Sequence, residues 1–496
     1  MEEIVKLSKI VTQNLKPNSV LPPVDLVIKG KEKQLLSNIL AGNYTNDDNA
    51  ASDIYGSNAN DTRYKMLKTR IKRKLFDYLF FLELPGTKSS SAVRDELLCI
   101  DYLHHAKVLL LLGEFDITIR LLNKAYSLAQ ENSYTEILIN CLELKNQYYS
   151  YKEHGKLLDK NLEILKEYRT KRAYEVQSIE IYQKAKIKLN KSILSRTIFL
   201  AQLGDTVNEL ERLWKLGQTF TLFDNYYKLQ IWYYELLGDF RKIINITQDT
   251  YELLKKGAIN GNRFDERYNE YILVYSLLRE KDFVKGLSYA ERFIENFNIA
   301  EHNWFAFMEN YFLLAMHSRN YELAHMLIDK VFTNTSFNRI TKTAKERWNL
   351  FKTYLQVITP TEDKLSGFNF QSFAISVPEY SKDKQGFNVA ILILQFIYFL
   401  KKGDAEALLY RIESLRKYIL THLKDAFSLR SKTFLKLLML TVTEDFNVAK
   451  CKNKGDKYLQ KLLETHAPGD AYAEIEIVPY EHLWELILEI LKKREK

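Results

Sequence analysis

Apolar residues recur at positions i, i+3, i+4 and i+7 through most of this chain. That spacing places them on one face of an α-helix, whereas a half-buried strand would alternate at every second residue. All eight prolines fall at predicted connections, and none lies between Pro85 and Pro360. An interior proline costs a helix about 3 kcal/mol, so this long interval is expected to consist of helices. The pattern therefore predicts an all-α fold.

A turn that recurs along the chain indicates that the helices are paired. In Leu109–Ala129 an apolar helix end, a Gly-Glu-Phe turn and a second helix follow one another, and Leu237–Phe240 repeats this turn. Such turns are predicted at intervals of 34 to 49 residues, with one gap of double length, near Gly113, Gly155, Gly204, Gly238, Lys281, Arg319 and Gly403. A period of this length is typical of stacked helix pairs.

These turns resemble, in a divergent form, the joints of the tetratricopeptide-repeat (TPR) family. The resemblance covers residues 94–350 and, more weakly, 388–450. It implies an irregular α-solenoid of antiparallel helix pairs, whose first helices line a concave face that binds a protein or a peptide. The candidate residues of that face are Asn225, Tyr226, Trp232, Asn269, Tyr271, Asn303 and Asn310. The aromatic residues among them also fit core positions. Only Asn310 falls at an Asn position of the family's carboxylate clamp, so binding of a C-terminal carboxylate is not expected.

The chain is predicted to divide into four segments. These are an N-terminal helical unit (1–84) with a basic helix over 62–84, the TPR-like repeats (94–357), an irregular insertion (358–387), and further helical repeats with a capping helix (388–496). A second irregular stretch covers 451–480, where Ala473–Val478 alternates as a short strand would. Tyr480–Lys493 is predicted to be a helix whose apolar face covers the last repeat.

Positive charge is concentrated in Arg63–Lys74. This stretch holds seven basic residues and no acid, while the net charge of the whole chain is +9. The basic residues are Arg63, Lys65, Lys68, Arg70, Lys72, Arg73 and Lys74. One stripe of the same helix is apolar and consists of Tyr64, Leu67, Ile71, Leu75, Tyr78 and Leu82. The cations are therefore predicted to lie on the opposite arc of the helix.

Three interpretations of the basic helix stay open. It is a solvated face whose lysines cover apolar surface with their methylenes, a binding site for DNA, RNA or another polyanion, or a docking site for an acidic protein. The helix from Asp47, the turn at Gly56 and the basic helix loosely resemble the helix-turn-helix of regulators that also carry TPR repeats, although no β-hairpin wing follows. If nucleic acid binds, reversing four charges is expected to abolish binding and preserve helicity: Arg63, Lys68, Arg70 and Lys72.

The sequence does not indicate a catalytic, cofactor or metal site. The sequence contains no phosphate-binding glycine loop, nucleophile elbow, calcium loop or zinc-ligand spacing. Acid pairs such as Glu266 and Glu270 are expected on solvated faces, and the three cysteines on buried ones. No apolar run reaches the roughly 18 residues of a membrane span, and the charged N-terminus is unlike a signal peptide.

The expected protein is a cytoplasmic, non-catalytic scaffold that binds a protein or peptide and uses no cofactor, no metal and no membrane. The alternative is a nucleic-acid-binding transcriptional regulator, with a basic N-terminal helix and a TPR-like region that senses a ligand or peptide.

Overall fold

The computed structural model describes residues 1–14, 29–44, 46–79, 82, 88–191, 193–359, 385–423, 429–465 and 476–494. The regular secondary structure of these residues is helical throughout, which confirms the predicted all-α fold class. The chain divides into two compact units, Met1–Leu158 and Asp159–Lys496, and each is described by itself. The four predicted segments stay a prediction.

Seven helices lie in the described part of the first unit. They are α1 (Glu2–Asn14), α2 (Lys31–Leu40), α3 (Asp47–Tyr55), α4 (Thr62–Leu79), α5 (Lys88–Leu111), α6 (Phe115–Glu131) and α7 (Thr135–Tyr151). Helices α1 to α4 share one apolar core, in which Leu36, Leu67 and Leu75 are fully enclosed. The side chain of Asn46 accepts a hydrogen bond from the Asn49 backbone and caps α3. The predicted continuation of the basic helix to residue 84 falls largely outside the described residues.

Helices α5, α6 and α7 form the rest of the first unit. Helix α5 packs along α6, and α7 packs against both. The α5–α6 turn lies at Gly113, whose φ of 79° is the left-handed conformation that glycine adopts at little cost. Turns without glycine use Ser133 and Glu153, with φ of 58° and 55°. The turn predicted near Gly155 is therefore present, but Glu153 takes the left-handed position.

The second unit continues the series of helices. They are α8 (Gly155–Leu189), which begins just before the division, α9 (Ile193–Gly217), α10 (Phe220–Leu237), α11 (Phe240–Lys255), α12 (Glu266–Arg279), α13 (Phe283–Phe293), α14 (His302–His317), α15 (Tyr321–Phe332), α16 (Lys342–Ile358), α17 (Gln385–Lys402), α18 (Ala405–His422), α19 (Leu429–Thr443), α20 (Val448–Glu464) and α21 (Tyr480–Arg494). Short 3-10 helices occupy Ile294–Asn296 and Thr335–Arg339. From α9 onward consecutive helices pack together, and so do the alternate helices α12 and α14 and α17 and α19, as in an α-solenoid of antiparallel pairs.

One predicted turn is wrong. Gly204 lies inside the long helix α9, where the residues Phe199, Leu203 and Val207 are buried at helical spacing. A Cβ on Gly204 would lie 3.1 Å from the hydroxyl oxygen of Tyr233. The glycine therefore permits close packing of a tyrosine and does not break the helix.

The C-terminal helix α21 has the predicted apolar face. Leu483, Ile487 and Leu491 are enclosed in a core that extends back to Leu273. Beyond covering α20, the helix reaches the turns of earlier hairpins, because Glu485 pairs with Arg319 at 2.6 Å and Arg494 lies within 3.5 Å of the Gly403 carbonyl oxygen. It is a strap across several hairpins, which is more than the predicted cap on the last one.

The two predicted irregular stretches are only partly described. Residues 360–384 of the insertion lie outside the described residues, and helix α17 begins at Gln385. Within the predicted strand, residues 473–475 also lie outside them, and residues 476–478 have no strand conformation.

Candidate functional site

The basic helix α4 buries the predicted apolar stripe. Tyr64, Leu67, Ile71 and Leu75 are at most 1% exposed, and Tyr78 is 5% exposed. Leu82 follows the end of the helix and is half-buried. The stripe holds α4 against α1, α2 and α3 and leaves its opposite face in solvent.

Five of the seven predicted cations make ion pairs with acids of the same unit. The pairs are Arg63–Asp61 at 2.7 Å, Lys68–Asp47 at 2.7 Å, Arg70–Glu32 at 3.0 Å, Lys72–Glu3 at 2.6 Å and Lys74–Glu32 at 2.7 Å. Four of these pairs join α4 to the helices α1, α2 and α3. Such partly exposed pairs each contribute about 0.2–1 kcal/mol, so the cations have a structural role and their charge is partly neutralised.

Asp47 is the most strongly held of these acids. Burial opposes its ionisation, but hydrogen bonds from the Lys68 ammonium and the Tyr64 hydroxyl outweigh burial and lower the pKa of Asp47 to about 2. Asp47 is also the first residue of α3, where a negative charge interacts favourably with the helix dipole. The Lys68–Asp47 ion pair therefore joins α3 and α4.

Lys65 and Arg73 remain on the open face of α4. Lys65 donates only to the side-chain oxygen of Asn60, at 3.2 Å, and Arg73 is exposed without a salt bridge to any described residue. Met66 and Phe76 lie on the same face and are 57% and 42% exposed. The open face is therefore a mixture of apolar and basic side chains.

The expectation for charge reversal changes as a result. Placing Glu at Lys68, Arg70 or Lys72 would set it beside the acids that these cations now pair with. The repulsion would loosen the packing of α4, so loss of binding in that variant would not identify a phosphate contact.

Two predicted concave-face asparagines are used inside the second unit. The Asn225 amide donates to the Ser178 hydroxyl oxygen at 3.1 Å. The Asn269 side chain accepts from the Tyr227 hydroxyl at 2.7 Å and donates to the Thr247 carbonyl oxygen at 3.1 Å. Asn225 and Asn269 are 7% and 0% exposed, so they join neighbouring helices.

The other predicted concave-face residues are spread over core and surface. Trp232 stacks on Tyr182 with ring centroids 6.0 Å apart, and Tyr226 stacks on Trp214 at 5.6 Å. Tyr271 is half-buried against the core, Asn303 is exposed and Asn310 is buried. These residues do not form one continuous exposed surface.

Glu270 was expected on a solvated face and is buried instead, at 4% exposure. Its Oε1 atom accepts a hydrogen bond of 2.7 Å from Asn296, and its Oε2 atom is buried without a hydrogen bond. Burial raises the pKa of Glu270 to about 7, with a smaller contribution from the charges of Glu266 and Asp265. The sequence around Glu270 does not indicate that it is buried. The residue that covers it, Asn296, comes after the next helix in the chain, so the local pattern of α12 could not reveal the contact.

Helix α5 carries an exposed apolar surface that the sequence reasoning missed. The α5 stripe consists of Val93, Leu97, Ile100, His104, Val108 and Leu111, which fall within an arc of about 80° at 100° per residue. Leu97 and Ile100 are each 48% exposed, and Leu111 is 82% exposed. The opposite side packs on α6, where the Cys99 thiol lies 3.6 Å from the Ala125 carbonyl oxygen. The sequence does place apolar residues on two faces of this helix, and that pattern could have indicated a second apolar surface.

The cysteines lie on buried helix faces, as predicted. Burial raises the pKa of Cys99 to about 11 and that of Cys141 to about 12, so neither thiol is a ready nucleophile. Among the described residues, no group of three His, Cys, Asp or Glu side chains is placed to hold a metal ion. No described helix is both long and apolar enough to cross a membrane.

No protein-family model, curated protein or solved structure matches this chain. The TPR-like family assignment therefore stays a prediction.

Proposed function

We propose that this protein is a non-catalytic helical-repeat scaffold that binds another protein chain through the α5 stripe. The observation that carries the proposal is the exposure of Leu97, Ile100 and Leu111 along one helix face. Large contiguous apolar surface is uncommon on monomeric proteins and marks interaction sites. The cytoplasmic location and the absence of a cofactor remain expectations of the same proposal.

The position of α5 supports this function. In α14, an internal helix, residues on all sides are buried, among them Trp304, Phe307 and Met308. Helix α5 begins the series that continues through α6 and α7, and no described helix packs on its stripe. Solenoids need a polar outer face at their ends to remain unassociated in water. Five of the six residues of the α5 stripe are aliphatic, so a partner is expected to cover it.

Covering the stripe would contribute favourably to binding. Fully burying a Val, Leu or Ile side chain contributes about 1.5–3 kcal/mol relative to full exposure. Because the five aliphatic residues of the stripe are between 42% and 82% exposed, each supplies on the order of 1 kcal/mol. Part of that sum is lost to the entropy of association.

Site-specific photocrosslinking tests the proposal. A photoreactive residue at Leu97 or Leu111 is expected to capture a protein partner, and Ile100→Glu should abolish the capture. Val284 on α13 is the matched control, because it is 83% exposed and belongs to a different helix in the other unit. Equal capture from Val284, or capture that survives Ile100→Glu, would contradict the proposal.

The concave-face version of the scaffold hypothesis has less support. Asn225 and Asn269, which were expected to contact a peptide backbone, already have partners within the unit. Asn303 is the one predicted asparagine that is exposed in the described structure. A peptide site on that face would have to be built from other side chains.

Nucleic-acid binding by α4 is the second candidate function. It is favoured by the helix pair α3–α4, joined through Gly56 at φ 62°, and by the positions of Lys65 and Arg73 on the open face of α4. The test is titration of labelled DNA and RNA at several salt concentrations. If both cations contact phosphate, Lys65→Glu with Arg73→Glu should lower the slope of log affinity against log salt by about 0.7–0.9 per contact.

The matched control for nucleic-acid binding lies in the second unit. Lys242 and Lys256 are exposed there, and their reversal changes the net charge by the same amount. Absence of binding by the wild-type protein at low salt, or equal losses in both double variants, would exclude α4 as a specific site.

A further inference from the structure

We infer that the partner on the α5 stripe is a second copy of this chain, docked antiparallel about a two-fold axis near Tyr102. This inference rests on the proposed function and names its partner. Two features of α5 point to self-association, the symmetry of the stripe and the complementary charges on one flank, and a like charge on the other flank opposes it.

The α5 stripe is nearly symmetric about Tyr102. Val93 and Leu111 lie nine residues before and after Tyr102, and Ile100 and His104 lie two residues before and after it. Antiparallel docking therefore sets Val93 of one copy opposite Leu111 of the second, and Ile100 opposite His104. Leu97 and Val108 also face each other within one residue, so every position of the stripe meets another.

The flank of the stripe nearer to α6 carries complementary charges. Glu96 and Lys107 both lie on this flank, six residues before and five residues after Tyr102. A two-fold axis perpendicular to the helix brings the same flank of the two copies together. Glu96 of each copy therefore meets Lys107 of the other. Neither residue forms a salt bridge within the described chain. The pairing is therefore available twice in one dimer.

A parallel pair would lose this match. Parallel helices bring opposite flanks together, with contacts offset by about five residues along the heptad. Glu96 of one copy would then meet Asp101 of the other, and the two carboxylates would repel. The charges favour the antiparallel arrangement.

The second flank places a like-charge contact at the axis. Asp101 lies one residue from Tyr102 on this flank, so the two Asp101 carboxylates of an antiparallel dimer approach each other, with His105 of the second copy one turn away. This contact weakens the dimer without changing its geometry. Asp101→Asn should therefore strengthen association.

The interface is small. The stripe runs over 19 residues from Val93 to Leu111, and the 18 steps between them span about 27 Å of helix at 1.5 Å per residue. One such helix pair lies at the lower end of interface sizes, below about 800 Å² per partner. The dissociation constant is therefore expected to be on the order of micromolar.

Sedimentation equilibrium of the full chain tests this inference. The wild-type mass should rise toward that of a dimer between about 1 and 100 μM. Glu96→Lys or Lys107→Glu alone should weaken the dimer about 5- to 50-fold, since each change replaces two attractive pairs with two repulsive ones. The combined Glu96→Lys/Lys107→Glu variant should restore wild-type affinity. Ile100→Glu should be monomeric, and Val284→Glu should dimerise as the wild type does.

The outcomes separate this inference from the proposed function. A wild-type chain that stays monomeric throughout the range overturns the second copy as partner, while capture of a different protein at Leu97 would leave the scaffold proposal standing. A dimer that the double charge reversal does not restore overturns the antiparallel register. The charge variants alter exposed residues, so circular dichroism should confirm folding even if Ile100→Glu is unstable.

Discussion

The strap helix α21 is expected to depend on one buried arginine, Arg430. Its side chain is 1% exposed at the start of α19. The guanidinium donates to Glu476 at 2.5 Å and 3.0 Å and to both carboxylate oxygens of Glu481 at 2.9 Å. It also donates to the Thr465 carbonyl oxygen at 2.8 Å. Burial disfavours the cation, but the two carboxylates outweigh burial and raise the pKa of Arg430.

Replacing Arg430 with Met should detach the strap. The change leaves Glu476 and Glu481, which are 8% and 9% exposed, without their cation. Removing one partner of a buried ion pair costs about 3–5 kcal/mol, because the remaining charge stays desolvated. Lys281 compensates little, because its ammonium lies 3.9 Å from Glu481 and its side chain is 47% exposed.

Hydrogen exchange of peptides from α21 measures this loss. A cost of about 3–5 kcal/mol corresponds to exchange faster by roughly two to four orders of magnitude, if α21 opens locally. The control is Arg319→Ala, which breaks a pair with Glu485 whose side chains are 48% and 57% exposed. A surface pair contributes about 0.2–1 kcal/mol, so exchange should rise less than about sixfold.

A third variant identifies the cause. Arg430→Met combined with Glu476→Gln and Glu481→Gln removes the uncompensated charges and should recover much of the protection. Equal exchange in Arg430→Met and Arg319→Ala would refute the reasoning. So would a triple variant as unprotected as the single one, because the loss would then come from packing alone.

Three further outcomes are expected. Glu270→Gln should flatten the pH dependence of unfolding: the folded pKa of about 7 lies above the ordinary 4.5, so wild-type stability falls as pH rises between these values, and parallel pH profiles of the two proteins would contradict this. Gly238→Val should cost about 1 kcal/mol or more in denaturant unfolding, because its φ of 72° disfavours a branched residue, and an unchanged midpoint would exclude strain there. Gly455→Ala should destabilise the packing of α21 by about 1–3 kcal/mol, since the new Cβ would lie 2.8 Å from the buried Trp484 ring, and unaltered Trp484 fluorescence and stability would contradict that clash.

The turns show how far local sequence carries the fold. Gly113, Gly238 and Gly403 were predicted as turn residues and have φ of 79°, 72° and 76°. Lys281 and Arg319 take the same conformation without glycine, with φ of 61° and 60°. The two residues after Lys281 define the turn even without glycine. Asp282 caps the next helix, and Phe283 is its first residue and packs against the core. Asp282 accepts a hydrogen bond from the Lys285 backbone in this way.

The basic helix shows what local sequence cannot predict. Periodicity correctly separated the buried stripe of α4 from its cationic arc, because both follow from helix geometry within one segment. The acids that engage the cations lie elsewhere in the chain: Glu3 reaches Lys72, and Glu32 reaches Arg70 and Lys74. No spacing rule relates residues so far apart, so free and paired cations look identical in the sequence.

The sequence by itself determined that the chain is all-α, where several interhelical turns lie, and which stripe of the basic helix and of the C-terminal helix is apolar. Those properties depend on hydrogen bonds and side-chain spacing within about two turns. Only the tertiary structure decided which faces are covered. It enclosed Glu270 and Arg430, engaged Asn269 between helices, and left Leu97 and Leu111 of the α5 stripe in solvent. Burial depends on which helices stack on one another, and that choice is made by contacts among residues distant in the chain.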